Sequence, residues 1–243
     1  MTIDFVSATI ALFALVVSVL TYRYNRGKLR ILRAIELAKE YAVLMKDITV
    51  IVNIAQVYPE ITNLITKNSL TEESEFTVEE LNKIYTKDEL DSLISFFNFE
   101  TVNKNLLLQI YMHTKIDAVH IAPDADHWNI SINEDLLETH YSTKVTNLLN
   151  DLECFAMNFN CNVADTRIIY QSIHQSFMEV IRILYQPIAR YNDSDSEKFY
   201  TNIIALYRRF ILMKESQTKR FKKIEMRYRR QKRVRAKGLQ PKL

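Results

Sequence analysis

The chain reads as an all-α protein: a single N-terminal transmembrane helix, then an antiparallel helical bundle with a long basic C-terminal helix. Three observations carry that expectation. Residues 3–22, IDFVSATIALFALVVSVLTY, hold one charge, Asp4, at their edge. In helical form such a run is about 30 Å long, the thickness of a bilayer's hydrocarbon core. Two glycines and four prolines in 243 residues leave few turn-formers for tight hairpins, so long helices are the default. Charge is polarised as well. From Lys214 to the C-terminus thirteen bases stand against two acids, a net +11, so residues 1–213 carry −8 of the overall +3. The chain is an acidic body between two basic ends.

Arg23, Arg26, Lys28, Arg30 and Arg33 follow the apolar run at once. Basic flanks mark the cytoplasmic side, which places the N-terminus outside and the rest of the chain in the cytoplasm. A cleaved secretory signal has its bases before the apolar stretch and small residues behind it. Here Asp4 precedes the stretch, while Tyr22, Arg23 and Tyr24 follow it. A buried amphipathic N-terminal helix is the competing expectation, and the run lacks the polar stripe that it needs. Four segments result: an anchor over 1–22, a juxtamembrane helix over 23–66, a cytosolic bundle over 67–213, and a basic helix and tail over 214–243.

Past the anchor, Leu32, Ile35, Ala38, Ala42, Met45, Ile48, Val52 and Ala55 recur near 3.6 residues, which predicts a helix up to Pro59. The stretch ITVIVNIAQVY within it is β-branched enough to suit a strand, but no breaker interrupts it. An acidic loop spans 67–75. Thr77 with Glu80 and Thr86 with Glu89 have the spacing of capping boxes and start helices over 78–85 and 87–97; a further helix is expected over 100–121. APDADHWNIS, residues 122–131, breaks the pattern. Helices follow over 142–160 and 166–190, and a last one runs from Glu197, capped by Ser194, to about Arg235. Cys154 and Cys161 are too far apart on one helix to form a disulfide and are expected as reduced, buried or half-buried thiols.

LLNDLECFAMNFNCNVADTRIIYQSIHQSFMEVIRILYQPI, residues 148–188, resembles the core of a bacterial family known as domain of unknown function 4760. Its motif-like residues here are Leu149, Asn150, Glu153, Ala156, Asp165, Tyr170, Pro187 and Ile188. The resemblance implies an N-terminal membrane helix, a basic juxtamembrane stretch and a cytosolic all-helical domain, and it transfers no catalytic residue. Asn150 and Glu153 read as partly buried polar groups. The expected partner of Glu153 is an arginine of the next helix, Arg167 or Arg182.

Arg167 and His174 form an Arg-x6-His pair, similar to the Arg-x4–6-His signature of HEPN ribonucleases. That resemblance implies a dimer in which the arginine steadies phosphate charge while the histidine moves a proton. His113, Asp117 and His120 are expected on one helix face, with His127 and His140 nearby. The outer two are too far apart to share one ion, so no metal is expected, and no cofactor. Two glycines, Gly27 and Gly238, cannot build a phosphate-binding loop.

The C-terminal segment presents Lys219, Arg220, Lys222, Lys223, Arg227, Arg229, Arg230, Lys232, Arg233 and Arg235. Such a helix suits anionic lipid headgroups or the chain's own acidic body. Nucleic acid is the rival partner, with Phe221 or Tyr228 stacking on bases. Self-association is expected along the Val16–Val19 side of the anchor and the Leu32–Ile48 stripe. Together these features point to a membrane-anchored scaffold or sensor that works by interaction, with a tethered ribonuclease as the competing class.

Overall fold

In the computed structural model, which describes residues 2–98, 119–123, 128–132, 134–194 and 197–236, one helix of 56 residues, α1 (Thr2–Val57), forms the spine. Nothing in it before Pro59 removes a backbone donor, so the β-branched stretch near its end stays helical. Pro59 then opens α2 (Pro59–Lys67) at its first turn, where a missing N–H costs nothing. The two helices meet at 113°. From Phe13 onward no single helix is long and apolar enough to cross a membrane. Among the described residues only the bent pair passes on length and composition, and α2 buries Ile61 and Ile65 in the bundle.

The loop after α2 leads to α3 (Val78–Ile84) and α4 (Lys87–Phe97). Both predicted caps are present in different forms. Thr86 and Glu89 make a reciprocal capping box. Thr77 accepts from the Glu80 N–H, but the Glu80 carboxylate reaches back past it to the N–H groups of Glu75 and Phe76, both at 2.9 Å. That grip helps hold buried Phe76 at φ 58°, a left-handed conformation unusual for a phenylalanine.

Two antiparallel strands follow, β1 (Val119–Pro123) and β2 (Trp128–Ile132), in the register Val119↔Ile132 to Pro123↔Trp128. Residues 119–121 are therefore strand, where the sequence pattern predicts the end of a helix; the rest of the expected 100–121 helix lies outside the described residues. The break at 122–131 thus falls within a hairpin of two paired strands, while the other elements among the described residues are helices.

The core of the bundle is α5 (Glu134–Asn160), α6 (Thr166–Ile183) and α8 (Thr201–Ala236) around the middle of α1, with short α7 (Tyr185–Tyr191) beneath. The 166–190 helix of the sequence reading is two helices. Pro187 has no N–H for the Ile183 carbonyl, and the chain breaks at Leu184 before re-entering as α7. The last helix begins at Thr201 rather than Glu197.

Helix directions follow from cross-contacts. Asp47 pairs with Lys144 at 3.0 Å, and Tyr41 packs on Phe155, so α5 runs antiparallel to α1. The Asp165 N–H donates to the Arg30 carbonyl at 3.1 Å, and Tyr41 also packs on Phe177, so α6 runs parallel to it. Along α8, Tyr207 packs on Phe76, Phe210 on both Phe177 and Tyr170, and Gln217 meets Tyr170. That order makes α8 antiparallel to α6 and α1. The face that α1 gives to the core is Ala34, Leu37, Tyr41, Ile48 and Ile51, all buried. The Leu32–Ile48 stripe expected as an oligomer seam is thus divided. Ile48 belongs to the chain's own core, while Leu32 and Ile35 remain exposed.

Candidate functional site

Both long helices leave the bundle from one end. The boundary is marked by Arg30 on α1, Asp165 and Thr166 at the start of α6, and Gln217 on α8. N-terminal to it, every α1 side chain from Phe13 to Leu29 is exposed, with Phe13 at 71%, Leu20 at 59% and Tyr24 at 72%. C-terminal to it, every α8 side chain from Thr218 to Arg229 is exposed, with Phe221 at 68%, Ile224 at 52% and Tyr228 at 65%. An apolar arm and a basic arm therefore extend in the same direction. Gly27 lies in the first of them, and a Cβ there would meet nothing within 4 Å.

The expected basic cluster is spread around the α8 arm. Lys219 pairs with Glu215 at 3.7 Å, and Arg229 with Glu225 at 2.6 Å, both one helical turn away on the same helix. Exposed pairs of this kind contribute a few tenths of a kcal/mol, about 0.3–0.5, and leave the arm's positive field nearly intact. Arg230, Lys232, Arg233 and Arg235 continue on the helix. At the arm's root a groove of about 630 Å³ has Glu72 and Glu73 on its loop side and Lys214, Lys219 and Lys222 on its helix side.

The start of α8 is held by a residue expected to do something else. Glu153 is half-buried on α5 and meets no arginine. Its Oε1 accepts from the Asn202 N–H at 3.0 Å and the Asn202 side chain at 2.8 Å, and its Oε2 accepts from the Ile203 N–H at 2.9 Å. These are N–H groups of the first turn of α8, so one helix caps another, with a full negative charge at the positive end of the macrodipole. Asn160 adds bonds from its amide to the Asn202 carbonyl and side chain. Tyr200, just before the helix, is buried at φ 56°, and burial pushes its hydroxyl up to about 12. Sequence spacing could not reveal this cap, because its donor and acceptor are 49 residues apart. Asn150, expected beside Glu153 as a partly buried group, is exposed.

Arg167 and His174 lie on α6, near the arm end, and are not in contact. Seven residues separate them, about 10 Å along the axis. Arg167 is exposed, and its backbone N–H is capped by the Asp165 carboxylate at 2.8 Å. His174 is half-buried and stacked on the Tyr170 ring at 4.3 Å. Its Nδ1 lies 2.7 Å from the Tyr170 carbonyl. A carbonyl only accepts, so Nδ1 carries a proton, which leaves Nε2 as the nitrogen that can act as a base.

Among the described residues no group of three His, Cys, Asp or Glu side chains can hold a metal. His113, Asp117 and His127 lie outside the described residues. His120 is on β1 opposite Ser131 rather than on a helix, and His140 is on α5. Cys154 and Cys161 are free and exposed, contrary to expectation. The inward face of α5 is taken by Leu148, Leu152, Phe155 and Phe159, which turns Cys154 outward, and Cys161 lies past the helix end.

At the opposite end, a cavity of about 270 Å³ is lined by Phe97, Thr146, Gln186, Arg190 and Tyr191. The Gln186 amide is buried there with neither its oxygen nor its nitrogen bonded, an unusual state for a polar side chain.

No family model matches the chain, and neither a curated protein nor a solved structure does.

Proposed function

We propose that this chain is a single-pass protein of a bacterial inner membrane, whose helical bundle faces the cytoplasm and acts through contacts rather than catalysis. The observation that carries the proposal is the N-terminal arm of α1. Phe13, Leu15, Val16, Val17, Val19 and Leu20 are presented to the surroundings on a rigid helix, with no part of the bundle against them. An apolar rod of this kind is unstable in water and at home in hydrocarbon. Arg23, Arg26 and Lys28 come directly after it, where headgroups of the inner leaflet would meet them. The exposed Val16–Val19 side offers a surface for self-association within the bilayer.

Cell fractionation after detergent-free lysis tests it. The chain should pellet with membranes, resist high salt and alkaline carbonate, and dissolve in detergent. Full-length chain in the supernatant would overturn the proposal.

A second function is supported by the state of His174. With Nδ1 bound to a carbonyl and Nε2 open as a base, and with exposed Arg167 two turns away, a dimer could place both beside an RNA phosphate, as a HEPN-like ribonuclease does. Arg167→Ala and His174→Ala should each abolish RNA cleavage or cell toxicity if that activity is real. Activity retained by both variants rules it out.

A further inference from the structure

The two arms leave the bundle together, and their dimensions relate them to a common plane. From Arg30 back to Tyr22 is eight residues, about 12 Å of helix between the bundle and the apolar run. From Gln217 forward to Lys223 is six residues, about 9 Å. Lys219, Arg220, Lys222 and Lys223 thus reach the same height above the bundle as Arg23, Arg26 and Lys28. The remainder of α8, up to Ala236, is longer than that gap, so lying along a leaflet spanned by α1 requires it to tilt or bend away from the α1 arm at the edge of the bundle.

Its surface is two-sided. Phe221, Ile224 and Tyr228, spaced three and four apart, share one exposed face and line a common shallow groove. Arg220 and Arg227 flank that face on one side; on the other stand Lys222 and the Glu225–Arg229 ion pair, whose charges cancel. Rows of bases beside an apolar face suit a helix lying at a lipid–water boundary, with rings and aliphatic groups below the headgroups and cations at phosphate level. A second copy of the same helix fits less well, since it would bring like charges together across the contact.

We infer that the α8 arm, residues 218–236, docks on the anionic phospholipid of the leaflet that holds α1, giving the protein a second attachment. Lys219, Arg220, Lys222 and Lys223 make the first contacts together with the bases of α1, and Phe221, Ile224 and Tyr228 enter the headgroup layer. The inference rests on the anchor proposed above. Docking is aided by tethering, because the anchor keeps the arm at high local concentration beside the surface. It also holds the arm end of the bundle against the membrane, so the hairpin and the Gln186 cavity have no part in lipid contact.

Full-length chain in lipid nanodiscs provides the test, with trypsin cleavage between Lys219 and Arg229 as the readout. In discs of phosphatidylcholine alone the arm should be cut quickly. With phosphatidylglycerol mixed in, cleavage should slow by about tenfold or more and recover in high salt, where charge attraction is screened. Lys222→Glu with Lys223→Glu should remove the protection, as should Phe221→Ser with Ile224→Ser. All four side chains are exposed, so the bundle should remain folded. Equal cleavage in both kinds of disc overturns the inference. So does protection that arises in phosphatidylcholine only when RNA is added, or only when two copies share a disc. These failures leave the chain in the discs. A chain that elutes apart from the discs overturns the anchor instead, and the docking with it.

Discussion

The two halves of α8 carry one apolar rhythm into opposite surroundings. Leu206, Phe210, Met213 and Gln217 continue as Phe221, Ile224 and Tyr228 at helical spacing, yet Leu206 and Phe210 are fully buried while the last three are exposed. Arginine and lysine crowd the second half, whereas in the first Arg208 and Arg209 bond to the carbonyls of Ser74 and Phe159. Periodicity therefore marks a face that wants covering without saying what covers it. The density and pairing of charge beside that face distinguish a cover of protein from a cover of another kind.

The contrast can be broken most directly by truncating one ring in each half. Phe210 sits between Tyr170 and Phe177, 5.4 Å from each, and Phe210→Ala should cost about 3–5 kcal/mol in urea unfolding. Phe221→Ala should change the same transition by less than about 0.5 kcal/mol. Equal losses would mean that the second half is also packed against protein.

A smaller effect is expected at the helix start. Glu153→Ala removes three charge-assisted bonds from the first turn of α8 and should cost about 2 kcal/mol, with hydrogen exchange speeding up at Asn202 and Ile203 before it does so in the arm. A loss confined to α5 would deny the cap its role.

The smallest effect is alkaline. Burial pushes the Tyr207 hydroxyl up to about 12 from an ordinary 10.0, so the folded chain holds that proton more tightly than the unfolded one. Stability from this group is complete below pH 10 and is lost as pH rises towards 12. Tyr207→Phe should flatten the decline of the unfolding midpoint over that range, at the cost of a hydroxyl bond to the Leu70 carbonyl.

Much of the helical framework was legible in the sequence because its signals are local. Thr77, Thr86 and Pro59 each act within a few residues, and α2 to α4 begin where those residues require. Pro187 was equally visible, but a proline inside a helix's first turn and one that ends the helix before it look alike until the break at Leu184 is seen. The hairpin eluded the period because β1 and β2 are only five residues each. The partner of Glu153 was illegible for a different reason. Any nearby arginine satisfies a carboxylate on paper, whereas the bare N–H groups of a distant helix do so only after that helix has a place. Arg167 and His174 share a face, two turns apart, by helical arithmetic, and what His174 adds, its ring on Tyr170, depended on which face α6 turns inward.

Glu153 also imposes an order in time. During synthesis Glu153 emerges 49 residues before Asn202, so the acceptor is present before its donors. The final segment need not nucleate unaided, and a nascent chain stalled before residue 200 would expose an unused carboxylate in a half-built groove. The place where the last helix begins is thereby tied to the position of α5.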